Sequence, residues 1–307
     1  MTYAPGIEEF IDRSNAAIPL DFYKLPLDEQ RSMYVGLKDV FEFPLPAGVT
    51  SVDETVDGHT FRIYRPDTLR GDGVICYIRA GGFVVGSLET HDSVVAELAA
   101  NTGLISVALD YRLAPEHPFP APLEDCYGAL VALVAGAERY GFDPAKVVVT
   151  GESSGANMAV VLCMMSRDRG GPAIRGHALI SPVLNFARWR TGGEDAPLLT
   201  GGEMEYYTAC YCPDPATTEE PYVSPLLNGE FHDLPPAYVM GTELDSLLVD
   251  SRQYAEQLEK QGIPVTLVVE PGLVHSSIRA RGLSAGAAEA WRRFCAHSAL
   301  LTEGAVR

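Results

Sequence analysis

From residue 73 onward, the chain alternates short apolar runs with segments of helical periodicity. The runs typical of strands are GVICYI, LISVALDY, KVVVT, HALIS, PAYVM and VTLVV, which begin at Gly73, Leu104, Lys146, His177, Pro236 and Val265. Strands separated by helices in this way are typical of right-handed βαβ crossovers. The pattern therefore predicts an α/β fold with a mostly parallel central sheet and helices on both faces.

Three of the helices between these strands can be placed from apolar stripes and end signals. The first begins near Pro122 and stops at Gly141, and the second runs from about Asp250 to Gly262. The last one carries a stripe that we expect to be buried, formed by Ala287, Trp291, Phe294 and Cys295.

Two regions depart from this alternation. Residues 1–45 precede the first predicted strand and hold apolar residues at helical spacings, and residues 185–225 form a loop-like, aromatic insertion. Insertions on an α/β core usually cover a site, although packing on the core or an interface is the alternative. We predict one domain over residues 1–307, with 1–45 and 185–225 as elements that cover its site.

Charge and cysteine usage exclude several classes of function. The formal net charge of −18 would repel nucleic acid and anionic membranes, so neither is expected as a partner. The six cysteines include no CxxC pair, which favours reduced core thiols over a metal site, and no cofactor is predicted. The first residues lack a basic region followed by an apolar one, so we expect a cytoplasmic protein.

The most informative motif lies in the run KVVVTGESSGANMAVVLCMM. A strand leads into Gly151-Glu152-Ser153-Ser154-Gly155, and an apolar helix follows, which is the context that a GxSxG nucleophile elbow requires. The two glycines would let the helix pass close to the strand. Ser153 occupies the middle of the motif and is the predicted nucleophile, with the helix N-terminus adding a positive dipole end beneath a developing oxyanion.

A serine hydroxyl needs a base, and the base needs an orienting carboxylate. His275 follows the predicted strand VTLVV and Asp245 follows PAYVM, which gives the chain order Ser, Asp, His. Glu243 and Asp250 are rivals for the acid, but Asp250 lies at a predicted helix start and Glu243 points away on an extended segment. The alternatives are a surface histidine at 275 and a helix cap at Asp245.

These residues, together with the stretch DYRLAPEHPFPAPLEDC from Asp110 to Cys126, the YVSPLLNG run and the TELDSL segment, give the chain a clear family resemblance. Over about residues 73–300 it resembles the bacterial hormone-sensitive-lipase-like esterases, a branch of the α/β-hydrolase fold. The resemblance implies a helical cap built from about 1–45 and 185–225. It also implies a preference for short-chain acyl esters, and a homodimer that pairs through the last strand.

In that family a loop written HGGG supplies oxyanion donors, and here the loop reads Arg79-Ala80-Gly81-Gly82-Phe83. The resemblance implies that Gly81 and Gly82 donate through their N–H groups, with the N–H of Ser154 as the third donor. Arg79 and Ala80 replace the family's histidine and first glycine. Arg79 would either brace the loop or reach toward an acidic substrate. The elbow departs too, because Glu152, Ser154 and Ala156 stand where relatives commonly carry Asp, Ala and Gly.

The sequence therefore predicts a serine carboxylic-ester hydrolase that acts on a small ester through an acyl-enzyme, with His275 as general base and then acid. The predicted substrate-pocket residues are Arg79, Phe83, Tyr206, Tyr207 and Tyr211. One alternative is the same site used for amide or lactone hydrolysis or a dehydration. Another is a non-catalytic ligand-binding relative, which the retained His275 disfavours.

Overall fold

The computed structural model describes residues 2–41, 43–228 and 230–304. Six residues of the predicted single domain, of which the first two also belong to its 1–45 cap element, lie outside the described residues: Met1, Glu42, Gly229 and 305–307.

Eight strands of the described residues form one sheet, in the spatial order β1-β2-β4-β3-β5-β6-β7-β8. The strands are β1 Val49–Val56, β2 His59–Pro66, β3 Val74–Ile78, β4 Ile105–Leu109, β5 Val147–Glu152, β6 Ile174–Ile180, β7 Ala237–Thr242 and β8 Val265–Glu270. From β4 to β8 all neighbours pair in parallel, whereas β1, β2 and β4 pair antiparallel. The prediction of a mostly parallel sheet is confirmed.

Five of the six predicted strands are largely buried on both faces, whereas the sixth, β8, is a half-buried edge strand. In β3, Val74, Cys76 and Ile78 pack into one core cluster and Ile75 and Tyr77 into the cluster on the opposite face. A strand covered on both sides needs apolar residues at every position, which is why these runs stand out in the sequence.

The hairpin of β1 and β2 was not predicted, because the sequence before Gly73 carries many polar and charged residues. β1 is an edge strand and most of its residues are exposed or half-buried, so no apolar run marks it. A turn signal was available. Asp57 and Gly58, between the strands, both have positive φ, 51° and 84°, which suits a two-residue Asp-Gly hairpin turn.

Helices cover both faces of the sheet. The helices are α1 Ile7–Ala17, α2 Leu27–Val40, α3 Asp92–Thr102, α4 Ala121–Ala135, α5 Ala137–Tyr140, α6 Ser154–Arg169, α7 Gly201–Tyr211, α8 Pro225–Asn228, α9 Leu248–Lys260 and α10 Ala285–Thr302. α3 and α10 pack on one face, and α4, α6 and α9 on the other. The three helices placed from the sequence are confirmed, except that the first one breaks at Gly136. Nowhere in the described part of the chain is a helix both long and apolar enough to span a membrane.

The two regions outside the βαβ alternation are largely helical. Residues 1–45 contain α1 and α2, and the 185–225 insertion contains α7, so the loop-like reading of this insertion was wrong over residues 201–211. The start of α7 has a clear physical cause. Thr200 caps the helix, since its side-chain oxygen accepts a hydrogen bond from the N–H of Glu203 at 3.1 Å.

Candidate active site

Ser153 lies at the sharp turn between β5 and α6. Its φ of 55° and ψ of −116° place it in a strained conformation for a residue with a side chain, and its N–H donates to the carbonyl of Ile180 at 2.9 Å. A Cβ on Gly151 would lie 2.4 Å from the carbonyl group of Gly155, and a Cβ on Gly155 would lie 2.1 Å from the carbonyl oxygen of Ile78. Both glycines are therefore required for α6 to pass this close to the sheet.

Asp245 and His275 meet beside this turn, brought there by the segments that follow β7 and β8. Asp245 Oδ2 and His275 Nδ1 are 2.8 Å apart, and both side chains are buried. The carboxylate is held further by Thr242 Oγ1 at 3.1 Å and by the N–H of Leu247 at 2.9 Å. His275 and Ser153 line the same cavity. The three residues chosen from chain order and strand ends are thus brought to one site.

The electrostatics of Asp245 and His275 are coupled. Burial acts to raise the pKa of Asp245, but the charge and hydrogen bond of His275 and the N–H of Leu247 outweigh it, so this pKa lies below its ordinary value. Burial acts to lower the pKa of His275, but Asp245, assisted by Glu152 and Glu203, outweighs it and leaves this pKa above its ordinary value. The arrangement favours a carboxylate next to an imidazole that readily takes up a proton.

The two rival carboxylates are committed to other partners. Glu243 Oε2 accepts a hydrogen bond from the N–H of Gly272 at 2.7 Å. Asp250 Oδ2 accepts hydrogen bonds from the N–H groups of Leu184 at 2.7 Å and Asn185 at 3.2 Å. Glu243 thus joins the segments after β7 and β8, Asp250 joins the start of α9 to the segment after β6, and Asp245 is the carboxylate that contacts His275.

The loop after β3 has an unusual backbone. Gly81, Gly82 and Phe83 all have positive φ, 128°, 57° and 65°. A Cβ on Gly81 would lie 2.1 Å from the carbonyl oxygen of Val85, so glycine is needed there. No described residue accepts a hydrogen bond from the N–H groups of Gly81 or Gly82. Together with Ser154 at the start of α6, these two glycines line the cavity that holds Ser153.

Arg79 supports this loop from behind. Its guanidinium carbon lies 3.6 Å from the ring centroid of Tyr111, and its Nη2 donates to the carbonyl oxygen of Tyr111 at 3.0 Å. The phenol of Tyr111 in turn donates to the carbonyl oxygen of Arg79 at 3.1 Å, and Nη1 lies 3.1 Å from Asp110 Oδ1. These contacts fit the bracing role and leave the guanidinium outside the lining of the Ser153 cavity.

Of the predicted pocket residues, Phe83 and Tyr207 line the cavity, whereas Arg79, Tyr206 and Tyr211 do not. Tyr211 is fully buried behind Phe83, with the two rings stacked at a centroid distance of 3.6 Å. Tyr206 faces away and accepts a hydrogen bond from Gln30 Nε2 at 3.0 Å. Neighbouring positions on a helix point about 100° apart. Tyr207 therefore faces the cavity, as predicted, whereas Tyr206 points in a different direction.

The cavity itself is partly open to solvent, and most of its lining is apolar. Its walls come from α1, α2 and the segment between them, from residues around α7, and from the core loops. The lining also includes side chains that the sequence did not single out, among them Tyr34, Glu203, Met204 and Arg279. The T-x-x-E pattern at Thr200 could have located the start of α7, but the folding of this helix over Ser153 has no local signal.

Comparisons with known proteins agree with this geometry. Residues 75–279 match a family described as having the α/β-hydrolase fold. The chain is 35% identical over 240 residues to the carboxylesterase NlhH of Mycobacterium tuberculosis, covering 76% of this chain and 75% of that protein. It is 34% identical over 234 residues to an ethyl acetate hydrolase of Pseudomonas putida, a match that covers 73% of this chain and 74% of that protein.

A similar solved structure is that of a hyperthermophilic esterase from the archaeon Pyrobaculum calidifontis, with a TM-score of 0.87 and 30% identity over 97% of this chain and 98% of that one. The fold, the site and these matches define the class of protein. The chain belongs to the α/β-hydrolase family, in its hormone-sensitive-lipase-like esterase branch, and is a hydrolase.

Proposed function

We propose that this protein is a serine carboxylic-ester hydrolase for short-chain acyl esters, with Ser153, His275 and Asp245 as its catalytic triad. The observation that carries the proposal is the 2.8 Å contact between Asp245 and His275 at the cavity that Ser153 lines. The esterase relatives support ester hydrolysis as the reaction.

In the first half of the reaction, Ser153 Oγ attacks the ester carbonyl carbon while His275 takes its proton. The N–H groups of Gly81, Gly82 and Ser154 hold the oxyanion that forms. The C–O bond to the alcohol then breaks, His275 gives the proton to the departing alcohol, and the acyl group stays on Ser153. Asp245 holds the imidazole in the tautomer that this requires and stabilises the imidazolium.

In the second half, a water molecule replaces the alcohol. His275 takes a proton from the water as it attacks the acyl carbon, and it returns the proton to Ser153 Oγ as the carboxylic acid leaves. Each proton that leaves a nucleophile is therefore given to a leaving group, and the enzyme ends in its starting state.

The preference for short acyl groups rests on the walls of the cavity. Phe22, Leu199 and Met204 are buried side chains of the two covering regions that line it, and the ring of Tyr207 packs directly against Gly82. The similarity to an ethyl acetate hydrolase supports the same preference.

The test compares Ser153→Ala with Ser154→Ala on p-nitrophenyl esters from acetate to laurate. Ser153→Ala should lower kcat by about 10⁴-fold or more, because the acyl-enzyme cannot form. Ser154→Ala should have a far smaller effect, because its predicted donor is the backbone N–H. For the unsubstituted enzyme, kcat/KM should fall as the acyl chain lengthens.

A fluorophosphonate gives a second readout of the nucleophile. It should label one serine, and a peptide map should place the label on Ser153. Labelling at another serine, or retained turnover in Ser153→Ala, would rule out this nucleophile.

A further inference from the structure

The cavity beside Ser153 contains a carboxyl that the proposed reaction does not use. Glu203 lies in the first turn of α7, and its side chain lines the cavity together with Tyr207, one helical turn further along. Two other groups affect the pKa of Glu203: the backbone of Thr200, through a hydrogen bond, and His275, through its charge. Glu203 therefore faces the space in which a substrate would sit.

The second charged side chain in this wall, Arg279, is already balanced. Its Nη2 donates to Tyr34 Oη at 3.2 Å, and its charge interacts favourably with the buried carboxylate of Glu152. His91 Nε2 lies 3.8 Å from Glu152, but burial lowers the pKa of this histidine to about 4, so it is neutral. The pair of Glu152 and Arg279 thus adds little net charge to the cavity.

The carboxylate of Asp245 is likewise paired with the imidazole of His275. Among the described residues that line the cavity, Glu203 carries a carboxyl group, and no basic side chain is held in contact with this group. Burial raises the pKa of Glu203 to about 7 against the opposing effects of Tyr207 and His275. A carboxyl in this position is mostly neutral at pH 6 and mostly ionised at pH 8.

We propose, on the basis of the proposed esterase function, that the site selects esters that carry a cationic ammonium group, and that Glu203 is the residue that determines this specificity. An ammonium group near the scissile bond would serve as the positively charged partner that Glu203 does not have among the described residues of the cavity. The net charge of −18 would also draw cationic esters toward the protein.

The groups that face Glu203 set how the preference depends on pH. Tyr207 on its own helix, Tyr34 on α2, and His275 and Arg279 from the loop after β8 surround the cavity. The two tyrosines are neutral between pH 6 and 8, because burial raises the pKa of each of them. Burial acts to lower the pKa of Arg279, but Tyr34 and Glu152 outweigh it, so Arg279 stays charged over the same range. His275 must be neutral to act on any ester, so its titration affects cationic and neutral esters alike. The ratio of the two rates therefore reports on Glu203.

The experiment compares kcat/KM for two pairs of esters that match in shape and differ in charge. Acetylcholine and 3,3-dimethylbutyl acetate differ in the alcohol. The p-nitrophenyl esters of 4-(trimethylammonio)butanoate and 5,5-dimethylhexanoate differ in the acyl group. At pH 8 the wild-type enzyme should prefer the cationic member of at least one pair by about tenfold, as expected for a partly buried opposite charge.

Glu203→Gln should abolish this preference, and Glu203→Asp, which keeps the charge, should retain part of it. Glu205→Gln is the matched control, because it removes the same charge from an exposed position two residues along the same helix, and it should leave the ratio unchanged. Lowering the pH from 8 to 6 should reduce the ratio in the wild-type enzyme and leave it constant in Glu203→Gln.

A wild-type ratio of one or less in both pairs at pH 8 would overturn the proposal. So would a preference that survives in Glu203→Gln, an equal loss in Glu205→Gln, or a wild-type ratio that does not change with pH. The neutral esters keep this failure separate from failure of the esterase function. If the wild-type enzyme hydrolyses them and Ser153→Ala does not, the proposed function stands whatever the charge preference is.

Discussion

The two halves of the candidate site are held together by different kinds of contact. The core half consists of the β5–α6 turn and the loops after β3, β7 and β8. Its geometry is fixed by close contacts between backbone segments and by buried hydrogen bonds. The cap half consists of α1, α2 and the region around α7. Side-chain packing positions it over the cavity, together with a few backbone contacts such as the hydrogen bond from the N–H of Phe119 to the carbonyl oxygen of Tyr211 at 2.9 Å. We therefore expect the parts assigned to chemistry to tolerate substitution far less than the parts assigned to substrate fit.

The largest expected effect belongs to the core half. Asp245→Asn should lower kcat by about 10⁴-fold, because an amide facing His275 Nδ1 favours the wrong tautomer and cannot stabilise the imidazolium. The measurement is steady-state kinetics on p-nitrophenyl acetate. Glu243→Gln is the control, since a glutamine can still accept the hydrogen bond from the N–H of Gly272, and its kcat should change by only a few-fold. A near-normal rate in Asp245→Asn would mean that another residue is the carboxylate that orients His275.

The same contrast should appear in stability when a glycine is changed in each half. Gly155→Ala places a Cβ 2.1 Å from the carbonyl oxygen of Ile78, and it should lower the free energy of unfolding by about 3 kcal/mol. Gly36→Ala lies in α2, where a Cβ would meet nothing within 4 Å, and it should raise this free energy by about 0.5–1 kcal/mol. Urea denaturation measures both. Equal effects of the two substitutions would contradict the distinction between the halves.

The pH dependence of the reaction should be set by His275, which belongs to the core half. Protonated His275 cannot accept the proton of Ser153, so activity on a neutral ester should rise with pH as the imidazole loses its proton. Because Asp245 and its neighbours raise the pKa of His275, the midpoint should lie above 6.5, and kcat/KM should fall about tenfold per pH unit below it. A profile of kcat/KM from pH 5 to 9 tests this. A midpoint below 6.5 would mean that the coupling to Asp245 is weak in solution.

The smallest effect is expected in the cap half. Met204→Ala opens room for about two methylene groups, each worth about 0.8 kcal/mol when buried, so kcat/KM for octanoate relative to acetate should rise by about tenfold. Met33→Ala is the matched control, because Met33 packs in α2 against the core cluster and lies outside the cavity lining. The p-nitrophenyl ester series measures both ratios. An unchanged length preference in Met204→Ala would mean that α7 does not limit the acyl chain.

The same division explains what could be predicted from the sequence. Local rules about strands, turns and loop ends predict the six strands with apolar runs, the elbow at Ser153 and the segments that bring Asp245 and His275 together. The edge hairpin was missed because most residues of β1 are exposed and many are polar, so no continuous apolar run marks this strand. Tyr206 and Tyr211 were misplaced, and Glu203 was overlooked, because the direction in which a cap side chain points depends on how α7 packs on the core. No local pattern records this packing.

The guanidinium that supports the loop after β3 has a consequence for how many contacts hold that loop in place. A guanidinium is planar and carries five N–H donors in a fixed fork, whereas an imidazole has two ring nitrogens. Arg79 can therefore stack on Tyr111, donate a hydrogen bond to the carbonyl oxygen of Tyr111 and lie against Asp110 at the same time. In this chain a single side chain thus fastens the loop after β3 to the segment after β4 by three contacts at once.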